Sequence, residues 1–312
     1  MRLIFMGTPE ISLPVLRTVA KEHEVAAVYT RPDASSGRGR EVVQSPVKKE
    51  ALKLGIPVMQ PANFKDNHTV SALQAFQPEL IVVVAYGVIL PKMVLAVPPL
   101  GAVNVHFSIL PRYRGASPVA GSILAGDRFT GVSIILMEAG IDTGPVLSVS
   151  QVPIFSWDNT LSLSRRLAGI SGGVIGEVLA AWRNKEIVPR LQDGSHATYS
   201  GIIRKEDGAI SWEEEADLIW RKAKAYFPWP GIYTTWRGKI LKLTEVEPVP
   251  YEGPAEPGQV VKLECGADIC AGVATGKGLL GIRRIQLEGK KEVTITEFVR
   301  GQREFIGSIL PD

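Results

Sequence analysis

The sequence predicts an α/β fold: a doubly wound, mostly parallel sheet in the first half and a second, smaller β-barrel domain behind it. Three observations predict it. Short apolar runs alternate with helical patterns from Arg2 to about Ala125. The run Leu80–Ala85 is apolar at every position, as a strand buried on both faces reads. Beyond residue 200 the β-type runs are short, closely spaced and punctuated by Gly and Pro.

Each element follows in order. Arg2–Met6 is a short apolar strand ending at Gly7, and Glu24–Thr30 is a second. Leu80–Ala85, Ala102–Phe107 and Val132–Met137 continue the series. Ser12–Ala20, Pro46–Leu54, Val70–Phe76 and Pro118–Ala125 carry helical patterns between them, and a longer helix is expected over about Leu161–Trp182. Alternation of this kind implies a Rossmann-like sheet, with ligands beyond the carboxyl ends of its strands. The stretch 184–200 turns polar and carries Pro189, Gly194 and Ser195, so it reads as a linker. The division expected is a catalytic domain over 1–187, a linker over 188–206 and an OB-like barrel over 207–312. In the last, Ala216–Ala225 is helical and Ile240–Leu243, Gln259–Leu263 and Leu279–Ile282 are strands.

Composition narrows the function classes. The chain has 312 residues, 45% of them apolar and 21% charged, which fits about two ordinary globular domains. The most apolar run, Leu80–Leu90, is too short to span a bilayer and is stopped by Pro91 and Lys92. Gly7, Pro9 and Glu10 cut the opening apolar run short, so no secretory leader or membrane association is expected. Cys265 and Cys270 have no neighbouring His to complete a zinc set; a reduced, cytoplasmic protein without a metal is expected. Net charge is +3, with 18 basic and 14 acidic residues over 1–187 and 17 against 18 over 188–312. Local patches, not the total, must carry any contact with RNA.

Gly7-Thr8-Pro9 stands where a dinucleotide fold places its glycine fingerprint, but G-x-G-x-x-G is absent and so is a Gly-Lys-Ser/Thr phosphate loop. Hydride and nucleoside-triphosphate chemistry are disfavoured. The informative segment is Asn104-Val-His-Phe-Ser-Ile-Leu-Pro-Arg-Tyr-Arg-Gly115. Asn104 and His106 are two apart on a strand and share a face, near its carboxyl end. A satisfied polar pair in the core is the alternative. Glu138-Ala-Gly-Ile-Asp-Thr-Gly-Pro145 runs from a strand into a glycine-rich turn carrying Asp142. That aspartate is either a solvated turn residue or, at the same sheet edge as His106, the group that orients the imidazole.

The run N-x-H-x-S-x-L-P followed by I-D-T-G-P resembles the family of enzymes that transfer formyl from 10-formyltetrahydrofolate. Three further features resemble the members that act on charged initiator tRNA: Phe5-Met-Gly-Thr-Pro9; the loop Arg31-Pro-Asp…Gly37-Arg-Gly-Arg40…Gln44-Ser-Pro-Val47; and Ile210-Ser-Trp212 with Phe227-Pro-Trp-Pro-Gly231 before a terminal β domain. The resemblance covers nearly the whole chain. It implies transfer of formyl from 10-formyltetrahydrofolate, as co-substrate and without a metal, to the methionyl amine of initiator methionyl-tRNA, for translation initiation. It further implies a monomeric enzyme of the bacterial cytoplasm.

The resemblance also implies roles. Asn104 would donate to the developing oxyanion, His106 would donate to it or take the amine proton, and Asp142 would fix the imidazole tautomer. Tyr86, Gly87, Val88, Ile89, Leu90, Ser108, Leu110, Pro111, Met137, Gly140 and Ile141 would bind the folate. Arg38, Arg40 and Arg114 would meet tRNA, although Arg112 and Arg114 could equally pair with folate carboxylates or with protein. Residues 31–49 carry a local charge of +3, from Arg31, Arg38, Arg40, Lys48 and Lys49 against Asp33 and Glu41. Charge alone leaves open an ordinary solvated loop. Phe227–Gly231 is expected to pack the start of the barrel, and Arg283, Arg284, Lys290 and Lys291 are a candidate basic patch. Two other functions stay in view: another folate-dependent enzyme, either a sugar N-formyltransferase or a formyltetrahydrofolate hydrolase, and a non-catalytic tRNA-binding protein. The basic loop disfavours the sugar enzyme; the trio of Asn104, His106 and Asp142 disfavours the binding protein.

Overall fold

The protein is described by a computed structural model covering residues 1–36, 41–251, 253–266 and 269–312. Its chain gathers into two compact units. The first is Met1–Pro118, Phe129–Pro153 and Ser162–Ser200; the second is Val119–Arg128, Ile154–Leu161 and Gly201–Asp312.

The first unit is a mixed α/β unit built on a seven-stranded sheet. Its strands are β1 (Arg2–Gly7), β2 (Glu24–Tyr29), β3 (Val58–Met59), β4 (Leu80–Val84), β5 (Ala102–His106), β6 (Phe129–Leu136) and β7 (Val146–Pro153). Their spatial order is β7-β6-β5-β4-β1-β2-β3. The first five pair in parallel, while β6 runs antiparallel to β5 and β7 antiparallel to β6. All five residues of β4 are buried, which is why its sequence is unbroken aliphatic rather than alternating. Two of its helices begin where a side chain satisfies a free backbone N–H group: Ser45 accepts from Lys48 N and Asp66 from Thr69 N.

The long helix Thr160–Arg183 buries Leu163, Leu167, Ser171, Ile175 and Val178 at helical spacing. At Gly172 a Cβ would lie 2.8 Å from the Pro14 Cβ, so glycine is what lets the helix Leu13–Glu22 approach. Thr18 Oγ1 donates to Gly172 O at 2.7 Å across that contact.

The polar stretch read as a linker is built into the first unit as far as Ser200. Arg190 pairs with Val146, and Tyr199–Ser200 form a short parallel ladder with Arg114–Gly115.

The second unit carries a six-stranded antiparallel sheet: β8 (Ile232–Trp236), β9 (Lys239–Val249), β10 (Val260–Gly266), β11 (Ile269–Ala274), β12 (Leu279–Leu287) and β13 (Val293–Thr294). The order is β8-β9-β12-β11-β10, with β13 beside β12. Trp236, Phe298 and Phe305 meet edge-to-face in its core, with centroids 5.1 to 5.6 Å apart. Tyr226 and Pro230 are buried, whereas Phe227 and Trp229 are exposed. Within the Phe-Pro-Trp-Pro-Gly segment the packing is therefore carried by Pro230, with Tyr226 just before it, and not by the two aromatic rings. Of the candidate basic patch, Arg283 is bonded to Glu247 and Arg284 to Glu292.

Candidate active site

Strand β5 delivers Asn104 and His106 to one face, and the loop after β6 delivers Asp142 to them. Asn104 Nδ2 donates to Asp142 Oδ1 at 3.1 Å, and His106 Nδ1 lies 3.4 Å from Asp142 Oδ2. Gly115 N donates to the same Oδ2 at 2.8 Å. The three residues singled out in the sequence thus meet.

Asp142 reaches this position by a route the sequence does not suggest. Because β6 is antiparallel to β5, its end pairs near the start of β5, Leu136 opposite Val103. The chain then goes out and back: Leu136 N donates to Pro145 O, and Val146 pairs with Ile135. Asp142 sits on the returning leg with φ 52°, a left-handed conformation uncommon outside glycine but tolerated by Asp. Gly144 is required just beyond it, since a Cβ there would run into the Leu136 carbonyl.

The imidazole is almost wholly buried. His106 Nε2 lies 2.9 Å from Tyr113 O. A carbonyl only accepts, so Nε2 carries hydrogen and donates. Burial pushes the His106 pKa below the ordinary imidazole value, and it outweighs the opposing pull of Asp142 and the bond to Tyr113. Asn104 has one amide hydrogen on Asp142; the second is uncommitted among the described residues.

The turn after β5 is fixed from within. Ser108 is fully buried: its Oγ donates to Arg112 O at 2.6 Å, and its carbonyl accepts from Ser133 Oγ at 2.7 Å. Leu110 N donates to the same Ser133 oxygen. Ser108 and Leu110 therefore shape this turn, and only Pro111 of the three keeps surface. Across the sheet, Tyr86 and Leu90 are buried in a cluster with Tyr29 and Phe64, against which Val88 and Met137 pack. Burial also pushes the Tyr86 phenol pKa up. Ile89 and Ile141 are 90% and 66% exposed, and Gly87 and Gly140 are exposed too. The folate set read from sequence divides into buried anchors and exposed groups beside them.

Arg114, expected at a tRNA face, is 6% exposed. Its guanidinium donates to Gln192 Oε1 at 2.8 and 3.1 Å and lies 3.5 Å from the Tyr199 hydroxyl. Of the partners the sequence left open for Arg114, the described residues supply protein groups, Gln192 and Tyr199. Arg112 instead lies over the Tyr113 ring, 4.8 Å from its centroid. Arg38 and Arg40 lie outside the described residues. Tyr113, Gly115, Gln192 and Thr198, which accepts from Tyr113 N, were not among the residues read from sequence. Backbone donors and acceptors leave no side-chain signature, and Gln192 sits in a stretch that reads as linker.

Comparison with known proteins settles the lineage. Residues 1–179 match the Formyl transferase family, and residues 202–303 match the formyl transferase C-terminal domain. The chain is 43% identical over 308 residues to the methionyl-tRNA formyltransferase of Dehalococcoides mccartyi strain ATCC BAA-2266, covering 98% of this chain and 97% of that one. The chain belongs to the methionyl-tRNA formyltransferase family. A second member of that methionyl-tRNA formyltransferase family, from Methylococcus capsulatus, is 40% identical over 300 residues, with 96% of each chain covered. Among solved structures, the sugar 3N-formyl transferase WlaRD, crystallised with dTDP and 5-N-formyl-THF, matches with a TM-score of 0.66 at 16% identity, over 93% of this chain and 99% of that one. HypX from Aquifex aeolicus in complex with tetrahydrofolic acid gives 0.62 at 19% identity, over 98% of this chain and 47% of that one. At such identities these two speak for the fold alone.

Proposed function

We propose that the protein transfers the formyl group of 10-formyltetrahydrofolate to the amino group of initiator methionyl-tRNA, giving N-formylmethionyl-tRNA and tetrahydrofolate. The observation that carries this reading is the convergence of Asn104, His106 and Asp142 on one site, in a chain 43% identical to a methionyl-tRNA formyltransferase.

The neutral methionyl amine attacks the formyl carbon. A C–N bond forms, the carbonyl oxygen gains negative charge, and the nitrogen must lose a proton. The uncommitted amide hydrogen of Asn104 is the donor to that oxygen. Since His106 Nε2–H is held by Tyr113 O, the proton goes to the space between His106 Nδ1 and Asp142 Oδ2. There it converts a loose contact into a charged hydrogen bond. As the tetrahedral intermediate collapses, the bond to the folate nitrogen breaks and the same proton is returned to that nitrogen. Placing the two substrates in contact supplies the remaining barrier reduction.

On this reading the exposed groups Gly87, Ile89, Gly140 and Ile141 and the half-buried Pro111 meet the folate, with Tyr86, Val88, Leu90, Ser108, Leu110 and Met137 fixing the walls behind them. Arg38 and Arg40 engage the acceptor end through their phosphate-binding guanidinium groups. Residues 1–187 carry the chemistry, and residues 207–312 assist in holding tRNA. The test is a formyl-transfer assay offering charged initiator tRNA, charged elongator tRNA and an amino sugar. Transfer to initiator methionyl-tRNA above both others is the expected result; preference for the amino sugar would replace this reading with that of a sugar N-formyltransferase.

A further inference from the structure

Gln192 stands between two parts of the site without touching the catalytic side chains. Its Oε1 accepts two hydrogen bonds from Arg114, at 2.8 and 3.1 Å. Its Nε2 donates to Asp142 O at 2.8 Å and to Gly144 O at 2.7 Å. This assignment of the amide is the only self-consistent one. A guanidinium has donors alone and a backbone carbonyl accepts alone, so turning the amide over would leave all four contacts repulsive.

We infer that Gln192 is a positioning residue for the reaction, holding the returning leg of the loop so that the Asp142 carboxylate stays on Asn104, His106 and Gly115. The inference rests on the catalytic reading of that trio. Three facts carry it. The backbone at Asp142 is left-handed, φ 52°, a state of higher energy that needs outside support. The two carbonyls bracketing Thr143 are both tied to one amide, so position and orientation of the leg are fixed together. Arg114 is buried, and no carboxylate lies within ion-pair distance of it among the described residues. Its charge therefore acts on the Gln192 amide and strengthens the donors on the far side.

The same residues join three chain segments. Arg114 precedes Gly115, whose N–H reaches Asp142 Oδ2, and it pairs with Tyr199 in the ladder that the segment of Gln192 runs into. The Asp142 carboxylate is held from Gly115, and its backbone from Gln192.

The test compares Gln192→Glu, Gln192→Leu and Asp142→Asn, with the Gln192→Glu/Asp142→Asn double variant. Glutamate keeps an acceptor for Arg114 but has no donor for the two carbonyls. We expect Gln192→Glu to lower kcat by about 10- to 100-fold with KM for both substrates changed less than about threefold. The double variant should be no slower than Asp142→Asn alone, because both changes act through one carboxylate. The His106 imidazole, followed by NMR, should titrate at lower pH in the uncharged Gln192→Leu variant than in the wild type, since a receding Asp142 no longer favours the charged ring. Wild-type turnover in Gln192→Glu, or losses that multiply in the double variant, would overturn the inference; full activity in Glu with loss in Leu would make Gln192 a partner of Arg114 alone. Should Gln192→Leu fail to fold, the near-isosteric Glu variant still decides. Unimpaired Asp142→Asn would instead overturn the catalytic reading itself.

Discussion

His106 Nδ1 and Asp142 Oδ2 lie 3.4 Å apart, too far for a charged hydrogen bond and close enough to make one after a small movement. The opposite ring nitrogen is committed to Tyr113 O. With a neutral imidazole, a nitrogen lone pair thus faces a carboxylate oxygen. The pair lacks a proton and gains most by accepting one, which is the requirement for deprotonating an attacking amine.

On the proposed mechanism, Asp142→Asn removes the charge that stabilises the imidazolium, and Asn104→Ala removes the donor to the oxyanion. Each is expected to lower kcat by about 100-fold or more and to leave equilibrium tRNA binding within about threefold. Single-turnover rates and filter-binding affinities separate the two quantities. Near-normal turnover would assign the residue to packing.

Acid should cost both activity and stability. His106 must be neutral to accept a proton, and burial lowers its pKa from 6.5, so the acidic limb of kcat is expected below that value. In the unfolded chain the ring binds protons at its ordinary pKa. As pH falls through 6.5, protonation therefore favours the unfolded state, until at lower pH the buried ring protonates as well and the loss levels off. Denaturant unfolding of wild type and His106→Gln across this window checks the point; parallel pH dependences would show that the ring does not contribute.

Gly144→Ala is expected to reduce turnover by about 10-fold or more, as displacing a group that holds a reacting side chain does. The new methyl group would strike the Leu136 carbonyl and push the returning leg outward, carrying Asp142 with it. The loss should appear in kcat, with the global unfolding transition moved far less, because the loop lies outside the hydrophobic core. An active variant would show that the leg can close by another path.

Arg38→Ala is expected to weaken formylation of initiator methionyl-tRNA while folate affinity is retained. If Arg38 neutralises one phosphate, the slope of log affinity against log salt should fall by about one unit or slightly less. A salt series read by tRNA binding and by formyl transfer tests this. Impaired folate binding with unchanged tRNA kinetics would move the loop to the donor side.

The sequence made the parallel sheet legible because buried strands advertise themselves: Leu80–Val84 has no polar residue to hide. The strand pair Asn104 and His106 was legible for the same reason, as polar groups among apolar neighbours. What was not legible is direction. The residues of β6 read alike whether the strand runs parallel or antiparallel to β5, so the route by which Asp142 arrives was hidden. Gln192 and the partner of Arg114 were hidden for a related reason. A polar segment that pairs through its backbone looks the same as a solvated linker, and a buried arginine looks the same as an exposed one.

The loop between β6 and β7 leaves and re-enters the sheet at fixed rungs, Leu136 with Pro145 and Ile135 with Val146. It is a closed circuit, and the Asp142 carboxylate is a fixed distance along it. Substitutions at its outer, exposed positions leave that distance alone, whereas a single insertion or deletion between Glu138 and Gly144 changes it. Length variation in this circuit should therefore be far less tolerated than change of side chain, and a deletion scan would trace the outline of the site more sharply than an alanine scan.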